Sequence, residues 1–257
     1  MLSRRHCAAL LSAAFSLALA RPASAGSIAE NFDAGLPGHA ALYGSATAIG
    51  GAIRLTDAVP GQRGIIAFAD ADAGAAIRAW TAEFDFRIGG GTGADGIGLR
   101  FAPFNPATDV VAEESEIGLD TYQNPGEPND NHVSLAFGGS IVALNADLPF
   151  DLNDDQWHHL RATLNDGLVD VYLADQLVID HQLAGWAPSA GQFAIGGRTG
   201  DFTDVHSIDN FAGLTTPLTS PVPEPTTALL VGGGIAGLAW FGRQRVRESL
   251  LAVRRRA

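Results

Sequence analysis

Gly118-Leu-Asp-Thr-Tyr-Gln-Asn-Pro-Gly-Glu-Pro-Asn-Asp-Asn-His-Val-Ser-Leu135 joins two strand-like runs through a loop that is rich in oxygen ligands. The runs cover residues 116–121 and 132–137. Pro125 and Pro128 stiffen the loop between them, because each proline fixes its own φ. The pattern predicts two strands connected by a rigid, polar loop.

The loop offers a set of oxygen atoms that suits a hard cation. Asp120, the backbone carbonyl of Tyr122 and Asn124 stand at alternate positions, so a strand leaving its sheet can turn all three toward one point. Calcium takes about six to eight oxygen ligands, and Glu127 or Asp130 could complete the shell. We therefore expect a calcium site here.

Two other interpretations of the loop were weighed. A helix–loop–helix calcium loop does not fit, because counting from Asp120 it places Pro125 where a glycine belongs and Asn131 where a bidentate glutamate belongs. A solvated acidic loop that binds no metal fits the spacing as well as a calcium site does.

Asp120-Thr-Tyr-Gln-Asn124, followed by Gly126-Glu-Pro and His132, resembles the metal-binding loop of the L-type (legume-like) lectins. That loop reads Glu-x-Asp-Thr-Tyr/Phe-x-Asn, then Asp-Pro, then His. The resemblance implies a concanavalin-like β-sandwich in which calcium orders a shallow sugar site. By resemblance the calcium ligands are Asp120, the Tyr122 carbonyl, Asn124 and an acid near Glu127, and Asn124 also contacts the sugar.

One residue departs from the family's loop. The leading glutamate, a ligand of a second, transition metal in plant members, is Gly118 here. The departure argues against that second metal and leaves a structural role for His132.

Two further segments resemble lectin sugar-binding loops. Ala94-Asp95-Gly96 after the strand-like run 84–88 is similar to the family's Ala-Asp-Gly loop, in which the Asp, held by a cis peptide, accepts hydrogen bonds from two sugar hydroxyls. The resemblance implies sugar contacts from Asp95 and Gly96; alternatively, Asp95 only caps a turn beside Gly96.

The second of these segments comes late in the chain. Residues 193–201 followed by 206–210 resemble the lectin loop that sets sugar specificity. The resemblance places four consecutive residues at the rim of the site; alternatively, this is a tight glycine turn whose arginine pairs with a surface acid. The four residues are Arg198, Thr199, Gly200 and Asp201.

Composition excludes several partners. All 16 basic residues are arginines, against 28 acidic residues, and residues 26–220 hold 26 acids and 7 arginines, a net charge of −19. Such a surface repels nucleic acid and anionic lipid. Cys7 is the only cysteine and lies in the leader, so the mature domain has neither a disulfide nor a thiol nucleophile.

Short apolar or alternating runs between turn residues predict an antiparallel, all-β jelly roll over residues 26–214. Asn165-Asp-Gly167 and Ala174-Asp175 are close enough to their flanking runs to form hairpin turns. The predicted strands are 53–55, 64–68, 80–88, 96–101, 116–122, 132–137, 141–144, 157–164, 168–173, 176–182, 192–196 and 207–214. The predicted core comprises Phe84, Phe86, Ile88, Leu99, Phe101, Leu119, Val133, Leu135, Trp157, Leu160, Val171 and Leu173.

Both ends of the chain carry targeting features. Residues 1–25 read as a secretory signal peptide, with basic residues first, an apolar run and a small-residue cleavage site. A Thr/Pro linker over 215–225 precedes an uncharged apolar run, 226–242, which at ~1.5 Å per residue spans about 26 Å and predicts one transmembrane helix. The basic tail 243–257 predicts a cytoplasmic C-terminus.

Val222-Pro-Glu-Pro225, the apolar run and the arginines after it resemble the bacterial PEP-CTERM sorting signal. The resemblance implies cleavage by an exosortase at Pro223, Glu224 and Pro225. The domain would first be held on the outer face of the membrane and then reach the cell surface or the extracellular matrix. A plain C-terminal anchor is the alternative.

These features predict an exported carbohydrate-binding protein with a calcium-ordered site, acting on a glycan such as an exopolysaccharide. A structural matrix protein with a degenerate site is the alternative, and a β-glucanase is the third candidate. The same sandwich hosts glucanases, but their paired catalytic carboxylates have only a partial counterpart in Glu83 and Asp85. We therefore expect that the protein is not an enzyme.

Overall fold

The computed structural model describes residues 25–105 and 117–218. These residues form fifteen β-strands, all paired antiparallel, and contain no α-helix. The all-β prediction is confirmed. The strands are β1 Ser27–Glu30, β2 Ala40–Gly44, β3 Thr47–Ile49, β4 Ala52–Thr56, β5 Arg63–Phe68, β6 Ile77–Gly89, β7 Gly96–Ala102, β8 Ile117–Asp120, β9 His132–Phe137, β10 Ser140–Asn145, β11 His158–Asn165, β12 Leu168–Leu173, β13 Gln176–Gln182, β14 Gln192–Arg198 and β15 Val205–Pro217.

The strands form two sheets. The eight-stranded sheet has the order β13-β12-β11-β6-β15-β4-β3, with β1 also paired to β15. The seven-stranded sheet has the order β10-β9-β8-β7-β14-β5-β2. The last two strands of the chain thus lie inside the sheets, β14 between β7 and β5, and β15 between β6 and β4.

The core lies between the two sheets, because side chains alternate between the faces of each strand. In β6, Phe84, Phe86 and Ile88 are fully buried, whereas Glu83 and Asp85 between them are partly exposed. Aromatic rings from both sheets meet in this layer; Phe68 of the seven-stranded sheet stacks on Phe211 of the other at 4.2 Å between ring centroids. The arrangement is the predicted β-sandwich.

The prediction of the core is wrong for one residue. Trp157 is 44% exposed, whereas the other predicted core residues are buried. It precedes β11, and the guanidinium of Arg87 lies 5.5 Å from the centre of its ring. Because Trp157 lies before the first residue of the strand, the sheet does not direct its side chain into the core. The prediction relied on the size of the side chain alone and was therefore wrong.

The predicted hairpin turns are present. Asp166 and Gly167 both have positive φ between β11 and β12, and Ala174 and Asp175 both have positive φ between β12 and β13. Two consecutive residues with positive φ are the feature of the type I′ turn, whose twist matches that of paired strands.

The targeting segments predicted from sequence lie almost entirely outside the described residues. Strand β15 continues to Pro217, so the first three residues of the predicted linker 215–225 belong to the sheet. Within residues 25–105 and 117–218, no helix is long and apolar enough to cross a membrane, and the predicted span 226–242 is not among them.

Candidate functional site

Strand register brings five distant residues into one line across the seven-stranded sheet. His132 pairs with Asp120, Asp120 with Gly96, Gly96 with Arg198, and Arg198 with Arg63. We call these five residues the site row. Their neighbours at the next position along each strand face the core, so the site row lies on the outer face of the sheet.

One end of the site row forms a group that could hold a metal ion. The ligand atoms of Asp120, Glu127 and His132 all lie within 4.8 Å of one another. Asp120 and His132 are buried, and Glu127 reaches them from the loop between β8 and β9. The sequence alone indicated only a structural role for His132, although this histidine is part of the motif that resembles the lectin loop.

The environment of His132 fits a cation. Its Nδ1 lies 3.0 Å from the carbonyl oxygen of Asn129, an acceptor, so Nδ1 carries a hydrogen and Nε2 is the ring nitrogen that faces Asp120. That Nε2 is buried, lies 3.7 Å from Asp120 Oδ2 and has no hydrogen-bond partner among the described residues. In the neutral ring, the lone pair of Nε2 would face that carboxylate, which is unfavourable unless a positive charge lies between them.

The other predicted metal ligands lie around the same carboxylates. The backbone N–H of Tyr122 donates to Asp120 Oδ1 at 2.8 Å, and the backbone N–H of Asn124 donates to Glu127 Oε2 at 2.6 Å. The amide of Asn124 also donates to Glu127 Oε1 at 3.3 Å. Asp130 is exposed and stands outside the group of three. The loop is therefore folded around two acids, with Asn124 next to them.

Asp95 lies beside the loop between β8 and β9. The Ala94–Asp95 peptide bond is cis, as the resemblance implies. The backbone carbonyl of Asp95 accepts the N–H of Thr121 at 3.0 Å, which joins the two loops. Arg198 Nε donates to Asp95 Oδ2 at 2.8 Å, and the Asp95 side chain is 10% exposed. The acid is thus oriented by an arginine at the centre of the site row.

A buried acid that sequence reasoning missed supports the Asp95 loop. Asp204 is fully buried and accepts the backbone N–H groups of Gly91 at 3.1 Å and Ala94 at 3.0 Å. Burial raises the pKa of the Asp204 carboxyl above its usual range, and the N–H groups of the loop oppose that shift. An aspartate that closes a neighbouring loop gives no signal in a single sequence.

The four residues predicted at the rim lie in different environments. Arg198 binds Asp95, and a Cβ added to Gly200 would lie 3.4 Å from Asp95 Oδ1. Thr199 is buried, and its hydroxyl donates to the carbonyl of Val59 at 2.7 Å. Asp201 is exposed. Thr199 therefore anchors the loop from inside, and the other three remain next to Asp95 or open to solvent.

Gly96 lies where only glycine fits. It has a φ of +138°, and a Cβ there would lie 2.0 Å from the carbonyl oxygen of Leu119. We expect Gly96→Ala to lower the free energy of unfolding by about 2 kcal/mol more than Gly90→Ala, since Gly90 also has positive φ but no atom within 4 Å of its added Cβ. Urea unfolding of both variants measures the difference. Equal losses would contradict the close approach.

A cleft of about 400 Å³ adjoins the loop between β8 and β9. Tyr122 and Phe202 face it, with ring centroids 5.6 Å apart. Phe104 packs on Tyr43, with ring centroids 5.3 Å apart. The cleft is lined by Thr92, Gly93, Thr121, Tyr122, Gln123, Asp130, Asn131, Asp151, Asn153 and Phe202.

The acids considered for glycoside hydrolysis lie on the other sheet. Glu83 and Asp85 are on the outer face of the eight-stranded sheet. Asp85 interacts with His159 Nδ1 at 2.8 Å and accepts the amide of Asn210 at 2.8 Å. This pair therefore faces away from the site row.

Comparison with known proteins gives two findings. The PEP-CTERM protein-sorting motif matches residues 221–245, so the chain carries the sorting signal that its C-terminal sequence indicated. No curated protein sequence matches the chain.

Solved structures similar to this chain include lectin domains. The exoplasmic/lumenal domain of VIP36, in its Ca2+/Man-bound form, has a TM-score of 0.62 at 18% identity, over 77% of this chain and 92% of that one. A lectin from Bauhinia forficata in complex with GalNAc has a TM-score of 0.62 at 16% identity, over 76% and 99%. The carbohydrate recognition domain of Emp47p has a TM-score of 0.57 at 15% identity, over 74% and 94%. At these identities the likeness establishes the fold.

Proposed function

We propose that this chain is an exported, lectin-like protein that binds a glycan at a site ordered by calcium. The observation that carries the proposal is the site row, which places the Asp95–Arg198 pair beside the group formed by Asp120, Glu127 and His132. A cation at that group would fix the loop that also holds Asn124. The ordered loop would then also fix the position of Asp95, because the N–H of Thr121 donates a hydrogen bond to the Asp95 carbonyl.

The donor set suits a divalent ion. Asp120 and Glu127 supply two carboxylates, and the Tyr122 carbonyl and Asn124 amide supply neutral oxygens, which are ligands that calcium accepts. His132 adds one imidazole nitrogen, which calcium seldom uses and transition metals favour. Calcium is the ion that we propose, and the missing acid at Gly118 argues against a second, transition-metal ion.

Asp95 and Asn124 provide the chemistry for binding sugar hydroxyls. A carboxylate accepts hydrogen bonds from two neighbouring hydroxyls, and these charge-assisted bonds are stronger than neutral ones. Arg198 holds one oxygen of Asp95, which fixes the direction of the other. Gly96, Gly200 and Asp201 are the neighbouring positions proposed to contact the sugar, and the exposed ring of Phe202 offers an apolar face beside Tyr122.

The sorting signal supports a place outside the cell. We propose cleavage by an exosortase at Pro223-Glu-Pro225, with the run 226–242 holding the chain in the membrane beforehand and the domain on the outer face. The ligand would then be a surface glycan or an exopolysaccharide of the matrix. The net charge of −19 over residues 26–220 would repel nucleic acid, which is therefore not among the proposed partners.

A glycan panel tests the proposal. The full chain should bind at least one immobilised oligosaccharide with calcium present, lose that binding with a chelator and regain it when calcium returns. Asp95→Asn and Asp120→Ala should each weaken binding roughly 10- to 100-fold, because each removes a charged ligand. Asp175→Asn, in an exposed hairpin turn, is the matched control. No binding to any glycan with calcium present would overturn the proposal.

A further inference from the structure

The few arginines of the domain are unevenly distributed. Four of the seven lie elsewhere in the domain and contact an acid or an aromatic ring. The pairs are Arg54 with Asp57, Arg78 with Asp166, Arg87 with Asp155 and Trp157, and Arg161 with Tyr172. The remaining three, Arg63, Arg100 and Arg198, lie on the outer face of the seven-stranded sheet, around the site row.

Arg63 is the unusual member of these three. Its Nε and Nη2 atoms are buried and have no hydrogen-bond partner among residues 25–105 and 117–218. It pairs in register with Arg198, so two like charges stand opposite each other on adjacent strands, which is unfavourable unless a negative group accompanies them. Asp95 neutralises Arg198. Among residues 25–105 and 117–218, no acid is paired with Arg63 in this way.

Two hydrogen bonds fix the segment before Arg63 against the Asp95 side of the site. The N–H of Gly61 donates to the carbonyl of Gly200 at 3.0 Å, and the N–H of Gln62 donates to the Thr199 hydroxyl at 2.8 Å. Arg63 therefore begins its strand at a defined position, one strand beyond Arg198. A guanidinium at this position can bind a carboxylate with two parallel hydrogen bonds.

We infer that the glycan carries a carboxylate, as a uronic acid residue does, and that Arg63 binds this carboxylate while Asp95 binds the hydroxyls of the adjoining residue. The inference rests on the proposed function and names the class of its ligand. A domain with a net charge of −19 repels anions at long range, so an acidic glycan needs a local, unneutralised cation of this kind. Arg63 thus becomes a specificity-determining residue.

Oligouronides and their methyl esters test the inference, because esterification removes the charge and leaves the sugar unchanged. Trisaccharides of glucuronate, galacturonate and mannuronate, each as free acid and as methyl ester, are titrated into the full chain with calcium present. The wild-type protein should bind at least one free acid roughly 10- to 100-fold more tightly than its ester. Arg63→Gln should remove this preference without weakening binding of the ester, and Arg63→Lys should keep part of it. Arg54→Gln, on the other sheet, is the control.

The outcomes separate the two proposals. If the wild-type protein binds the ester as tightly as the acid, or if Arg63→Gln keeps the preference, the inference is overturned and the proposed function stands. If the wild-type protein binds no saccharide in either form or on the glycan panel, both are overturned. Circular dichroism and a thermal melt of each variant exclude loss of folding as the cause.

Discussion

Between pH 6.5 and pH 3, the wild-type protein should lose up to about 5 kcal/mol of stability through His206 alone. This residue is fully buried, and burial lowers its pKa from 6.5 to about 3. Thr56 donates its hydroxyl to the carbonyl of Asp204 at 2.9 Å, so it accepts from His206 Nδ1 at 2.6 Å. The buried Nε2 has no acceptor for a second proton among the described residues.

The sign of the effect follows from the direction of the shift. Below pH 6.5 the unfolded chain takes up a proton on His206, whereas the folded protein does not until its lower pKa is reached. The stabilisation from His206 is therefore complete above pH 6.5 and is lost as the pH falls toward 3.

Urea unfolding at pH 7, 6, 5 and 4 measures this loss. His206→Gln keeps a polar group near Thr56 but cannot take up the proton, so its stability should fall less steeply with acid than that of the wild type. His39→Gln, an exposed histidine paired with Glu30, is the control and should follow the wild-type curve. Parallel curves for His206→Gln and the wild type would contradict the buried, neutral state.

Calcium should raise the melting temperature by roughly 5–10 °C at 100 times its dissociation constant. The gain arises because the folded protein assembles Asp120, Glu127 and their neighbouring oxygens, whereas the unfolded chain does not. Differential scanning calorimetry with calcium, manganese and zinc in turn measures the shift and identifies the ion.

Variants of the proposed calcium ligands test whether the shift in melting temperature arises at this site. Asp120→Ala should abolish it, and Asp130→Ala, an exposed acid outside the group, should retain it. His132→Gln should reduce the shift for any ion that uses the imidazole nitrogen. No shift with any of the three ions would contradict a cation-ordered site and favour the structural matrix protein.

Much of the fold was predictable because turn residues mark the strand ends. The predicted runs 132–137, 168–173 and 176–182 coincide with β9, β12 and β13. Strands β1, β2 and β3 were missed, since they are short segments at the start of the chain without a clear alternation of apolar and polar residues. Local pattern identifies strands where turns bound an alternating run; it misses short segments without that alternation, and β1 is defined only by its pairing with the distant β15.

The candidate site was predictable only in part. Asp95, Asp120 and Asn124 were identified through a resemblance to lectin loops. The roles of Arg63 and Asp204 depend on strand register and on loop packing, which a single sequence does not contain. His132 belongs to the motif that resembles the lectin loop, but the lack of a hydrogen-bond partner for its buried Nε2 among the described residues is a property of the folded environment.

The central positions of β14 and β15 have a consequence for how the protein is made. Until residues 192–217 emerge, each layer consists of two half-sheets with open edges, because the strand that joins the halves comes last. Such long-range closure is slow, so neither sheet can be completed before these two strands are available. Both sheets are then completed together, when the end of the domain arrives just ahead of the sorting motif at residues 221–245.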